Sequence, residues 1–111
     1  GVLYALAGFA LGMFMAANKD FTLRSVHSHL NLLGWVSMAL YALYYQLVPA
    51  AAALRTAKVH FWLANAGMLV LNVSVGMLVS GYGAAEAGAA AGSIATLSSM
   101  ALFMFIVFKT A

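Results

Sequence analysis

The sequence holds three histidines and no cysteine, so any metal or haem chemistry it supports must be imidazole chemistry. Two of the three, His27 and His29, stand two residues apart in the run HSHLNLLGW. Imidazole is a common axial ligand of haem iron, with one ring nitrogen on the metal and the other oriented by a hydrogen bond. On a regular helix, residues two apart project about 200° from one another. The pair therefore cannot grip a single metal without distorting the helix, but each histidine could serve a site on its own face. From His27 one face continues through Asn31, Gly34, Met38 and Tyr45; from His29 the other runs through Leu33, Val36, Leu40 and Leu43. His27, His29, Asn31 and Gly34 form the candidate cofactor site, with Gly34 leaving room for a ring or a neighbouring backbone. The competing structural reading has each imidazole bonded to a serine, an asparagine or a carbonyl.

The third histidine, His60 in KVHFWLANAGM, opens a later apolar segment. Antiparallel packing would separate it from the pair by roughly 30 Å, which makes it a structural or interfacial residue before it is a co-ligand. Asn65 and Asn72, seven apart with Met68 between them, share a helix face and are read as helix-joining polar groups. Seven scattered methionines suit irregular apolar packing; a copper site would require some of them to converge on a histidine. Gly8 and Gly12 have the small-residue spacing of a close helix contact.

The elements that must position these residues are apolar. The chain has 111 residues, of which 66% are hydrophobic and 6% charged, and its mean hydropathy is +1.01. Soluble domains run nearer 25% charged, so the composition is that of a membrane protein. Five lysines and arginines are too few for the basic patch that nucleic-acid binding needs. Apolar runs over 2–17, 26–48, 57–80 and 91–108 predict four crossings. Asn18, Lys19 and Asp20 end the first, Thr22 or Ser25 caps the second and Pro49 stops it. Gly81, Gly83 and Gly88 break the third connection, and the alanine-rich stretch 84–91 is either loop or helix. The expected fold is one all-α domain over residues 1–111, an integral membrane four-helix up-down-up-down bundle. The first apolar segment begins at Gly1 without a basic n-region, which argues against a signal peptide and suggests a start partway into a helix.

Loop charge sets the expected orientation. The 18–25 and 81–90 loops together sum to zero net charge, whereas Arg55, Lys58 and Lys109 give the other side +3. By the positive-inside tendency both termini are cytoplasmic in a bacterial inner membrane, with His27 and His29 toward the periplasm.

HSHLNLLGWVSMALYALYYQLVP followed by KVHFWLANAGMLVLN resembles the late part of the catalytic subunit of haem–copper oxidases. The resemblance covers about residues 27–72. It implies that His27 corresponds to the ligand of the high-spin, oxygen-reducing haem and His29 to a ligand of the low-spin haem, with His60 outside the axial set. The chain lacks counterparts of the family's three-histidine copper centre, its crosslinked tyrosine, its earlier low-spin ligand and its propionate-binding arginines. Complete oxygen reductase activity is therefore not expected of this chain alone. The expected function is a membrane haem-binding protein, with b-type haem, working in electron transfer or small-gas sensing. The alternatives are a copper-binding or metallochaperone membrane protein and a structural or assembly subunit of a respiratory complex. Expected partners are a second copy of the chain, which would supply the missing ligand, a respiratory-chain protein and the lipid bilayer.

Overall fold

A computed structural model describes all residues from Gly1 to Ala111, and every regular element in it is helical. α1 spans Val2–Asn18 and ends where Lys19 takes the left-handed conformation at φ 50°. Asp20 then holds the turn: the Thr22 hydroxyl and amide donate to its carboxylate at 2.6 and 3.1 Å. Those two bonds keep the Asp20 carboxyl below its ordinary value. α2 (Arg24–His29) runs through right-handed junctions into a π-helical stretch, Leu30–Ser37, and on into α3 (Met38–Leu47).

Val48 leaves helical geometry immediately before Pro49, as the steric demand of a following proline requires. Pro49 occupies the first position of a four-residue helix, α4 (Pro49–Ala52), where its missing N–H costs nothing. α5 (Arg55–Val79) follows, then a turn through Gly81 at φ +101°, a 3-10 turn at Gly83–Ala85 and α6 (Glu86–Thr110). The alanine-rich stretch is thus helical from Glu86 onward. Gly88 belongs to α6 and does not break the connection.

The four-crossing membrane bundle expected from the apolar runs is not the architecture formed. Only α5 and the Gly83–Thr110 unit are long and apolar enough to cross a membrane, by length and composition alone. α1 has 17 residues, about 25 Å at 1.5 Å per residue, short of a hydrocarbon core of about 30 Å. The second expected crossing is one continuous helical stretch whose geometry changes from α to π and back to α over Leu30–Ser37. The helices also enclose no shared axial core. The chain is a flattened array of 46 × 28 × 15 Å with a radius of gyration of 15.3 Å, against about 13 Å for a compact domain of this length. Only 17 of its 111 residues are buried.

Several expectations fall with the four crossings. The assignment of termini to the cytoplasm and of His27 and His29 to the periplasmic side of an inner membrane needed four spans to sort the loops. The membrane haem protein, the membrane copper protein and the oxidase-like respiratory subunit needed the same scaffold. Large apolar side chains on outward faces, among them Leu3, Met13, Leu97 and Phe108, are more than 70% exposed.

Packing is densest between α5 and α6, and small residues explain it. A Cβ built on Gly92 would lie 2.5 Å from the Leu71 backbone nitrogen, and one on Gly67 would lie 3.0 Å from the Thr96 nitrogen. Gly88 faces the Ser74 side chain, whose hydroxyl fills the space a Cβ would take. At Gly67 and Gly92 the two backbones touch because no side chain stands between them. Met68 and Ile106, both fully buried, contribute apolar burial on the two helices. α1 packs instead on α2 and the π stretch, and Tyr4 ties it to α5 by donating to Asn65 Oδ1 at 2.9 Å.

Candidate functional site

The histidine pair does not form one site. His27 turns toward α1, where its ring enters the notch made by Gly8 and Gly12. Its Nδ1 lies 2.7 Å from the Gly8 carbonyl oxygen; a carbonyl can only accept, so this nitrogen carries the ring proton. A Cβ on Gly12 would lie 2.8 Å from His27 Cε1, and one on Gly8 would lie 2.6 Å from Asn31 Oδ1. Asn31, one turn on, places its amide nitrogen 3.4 Å from both ring nitrogens. The Gly8–Gly12 spacing thus receives a polar knob of His27 and Asn31. Gly34 performs a similar service further along, since a Cβ there would lie 2.7 Å from Tyr4 Cβ. His29 points away from this contact, and its Nδ1 is buried without a partner.

His27 and Gly34 as arranged leave no room for a haem. The His27 ring is closed in by α1 and Asn31, Gly34 is filled by Tyr4, and neither principal cavity touches His27 or His29. No three histidine, aspartate or glutamate side chains come together in the chain. His27 acts as a helix clasp. Gly12→Val is accordingly expected to destabilise the fold by about 1 kcal/mol, the imidazole yielding to relieve part of the overlap. Gly83→Ala, where an added Cβ meets nothing within 4 Å, is expected to be near neutral in the same chemical denaturation series.

The chain's chemistry collects elsewhere, around the histidine read as structural. His60 is 1% exposed, and its ring lies among aromatic neighbours from two other helices. It stacks on Phe103 of α6 at 5.2 Å and meets Tyr41 of α3 edge-on at 4.5 Å. The Tyr45 hydroxyl is 2.9 Å from His60 Nδ1. If the phenol donates there, the ring proton of a neutral His60 resides on Nε2, which is buried with no partner. Burial disfavours the imidazolium and lowers the His60 pKa, while burial and the neighbouring phenols raise that of Tyr45. Both groups are therefore neutral at pH 7.

Beside this cluster lies a cavity of about 400 Å³. Met38, Tyr41 and Tyr45 line it from α3, at spacings that share one helix face, and His60, Trp62 and Ala64 line it from α5. Asn65 closes one end, with its oxygen taken by Tyr4 and its amide donating to the Phe61 carbonyl at 2.8 Å. The face presented by the second helical stretch changes partner across the π segment: His27, Asn31 and Gly34 meet α1, whereas Met38, Tyr41 and Tyr45 meet the cavity. A π turn holds more residues than an α turn, so it rotates the later side chains relative to the earlier ones. Asn72, the other asparagine read as joining helices, instead donates back to its own helix, to the Met68 carbonyl at 2.9 Å and to the Met68 sulfur.

Sequence reasoning missed this site because its members are spread over three helices. The one available signal was the Tyr41, Tyr44 and Tyr45 cluster, whose aromatic and hydroxyl content matches what surrounds a buried histidine. No family model, no curated protein and no solved structure matches the chain.

Proposed function

We propose that this chain is a small-molecule-binding helical protein whose ligand occupies the cavity between α3 and α5. The observation that carries the reading is the wall of the cavity, where Met38, Tyr41, Tyr45, Phe61 and Trp62 gather aromatic and apolar surface beside the almost fully buried His60 ring. His60 Nε2 is itself closed off and without a partner, so the imidazole belongs to the wall and is not a direct contact for the ligand. The rest of the wall selects for shape. Tyr41, Phe61 and Trp62 offer aromatic surface and Met38 adapts to it, which favours a flat, largely apolar molecule. The volume lies within the usual range of small-ligand sites, about 300–1,000 Å³.

The test is a titration with 2-naphthamide, a neutral bicyclic aromatic carrying one carbonyl, followed by tryptophan fluorescence. Trp62 borders the cavity and is one of only two tryptophans in the chain. Saturable one-to-one binding is expected. Ala42→Phe should abolish it, because Ala42 lines the cavity and is exposed, so a ring there blocks the space without crowding the packed interior. Binding that does not saturate, or that survives Ala42→Phe undiminished, would overturn the reading.

A further inference from the structure

The charges of this chain are sorted by end, and the cavity lies at the end that has no acidic side chain. Asp20 and Glu86 are the only two carboxylate side chains. Asp20 stands in the α1–α2 turn and is bonded to Thr22. Leu23 and Val26, just beyond that turn, approach Gly76 near the C-terminal end of α5. Glu86 opens α6 beside the same end, where Gly88 meets Ser74. Lys58 lies 16 residues before Ser74 on the same helix, about 24 Å away along its axis. Neither carboxylate side chain can reach it.

Lys58 also lines the cavity, on the same helical stripe as Trp62 and Asn65. Arg55, one turn earlier, adds a second cation on this helix, and the start of α5 has no side-chain cap on its free amides. The positive end of a 25-residue helix dipole therefore coincides with these two side chains. Lys109, the remaining cation at this end, lies 5.9 Å from the Phe105 ring and is occupied there. An aromatic cavity with a buried unpartnered imidazole in its wall thus opens beside an uncompensated cation.

Building on the binding reading above, we propose that the ligand is an aromatic carboxylate, its ring held by Tyr41 and Trp62 and its anionic group paired with Lys58. Two ligands of one shape test this: 2-naphthoate, ionised at pH 7, and 2-naphthamide, its neutral isostere. In low salt the acid is expected to bind about fivefold more tightly, the scale of one exposed ion pair. Added salt should narrow that difference, since an exposed pair is screened. Lys58→Met, which keeps the apolar stem and removes the charge, should bring the two ligands to equal affinity, and Lys58→Arg should preserve the preference. Equal binding of acid and amide by the unaltered chain would overturn the assignment while leaving the cavity reading intact. So would a preference that persists in Lys58→Met. Binding of neither ligand would overturn both.

Discussion

Gly92→Val is expected to be among the most damaging single substitutions in this chain, costing about 3 kcal/mol or more of stability. An added Cβ at Gly92 would stand 2.5 Å from the Leu71 nitrogen and 2.6 Å from its Cα. Those are backbone atoms of the opposing helix and cannot turn aside as a side-chain tip can. Overpacking a well-formed contact ordinarily costs about 1–3 kcal/mol, and a β-branched residue against backbone belongs at the top of that range. The helices must then separate, loosening the contacts around Met68 and the polar packing of Ser74. Gly92→Ala should show a smaller version of the same loss. Chemical denaturation followed by circular dichroism measures both; a Gly92→Val protein as stable as the parent would show that α5 and α6 do not approach here as closely as described.

The second large effect is expected from Tyr45→Phe, through its consequence for His60. The substitution removes one oxygen and keeps the ring, so aromatic packing is largely preserved. It leaves His60 with neither ring nitrogen paired, at a cost of about 1–3 kcal/mol for a buried unsatisfied group. Ligand binding should weaken as well, because Tyr45 both lines the cavity and orients the imidazole. The same pair predicts a pH dependence with a definite sign. Burial depresses the folded-state pKa of His60 below its ordinary 6.5, so the unfolded chain takes up a proton that the folded chain refuses. Its contribution is intact above pH 6.5 and is lost as the pH falls from there toward the lower folded value. Stability curves of the parent and of His60→Gln isolate that contribution: the parent's loss between neutral and mildly acid pH should be the steeper. Curves of equal slope would show that His60 titrates as freely when folded as when unfolded.

Placement of the helices was largely legible in the sequence. Apolar runs ending at Asn18, at Pro49 and at Gly81 coincide with helix ends within a few residues, because proline, glycine and cap residues act locally on the backbone. What those runs did not reveal was the change of helical geometry at Leu30–Ser37. A π stretch does not alter hydropathy, and its helical dihedrals disturb no residue-type pattern. Nor did hydropathy report how the helices associate. An apolar run looks the same whether it surrounds a shared core or lies in a flattened array, so four runs suggested four crossings that the lengths of the actual elements do not supply.

The histidines divide along the same line. That His27 and His29 oppose one another follows from helical spacing alone. That His27 bonds the Gly8 carbonyl and fills the Gly8–Gly12 notch depends on the crossing of two helices, although the glycine spacing on α1 did mark a close contact. Gly88, read as a break in the connection, and Gly92 after it have the same four-residue spacing. Flanking alanines carry them through as helix, and the gain is the backbone contact with α5.

By itself the sequence determined an all-helical chain, the positions of its turns, its scarcity of acids and the opposition of two imidazoles. Each of those follows from local backbone chemistry or from composition, which need no knowledge of distant neighbours. Only the tertiary structure decided that His60, and not the His27–His29 pair, stands beside the cavity, and that Lys58 opens onto it without a carboxylate side chain in reach. Residues 41, 45, 60 and 103 become neighbours through the packing of three helices. That packing rests on glycine notches and on the turn of a π stretch, neither of which hydropathy records.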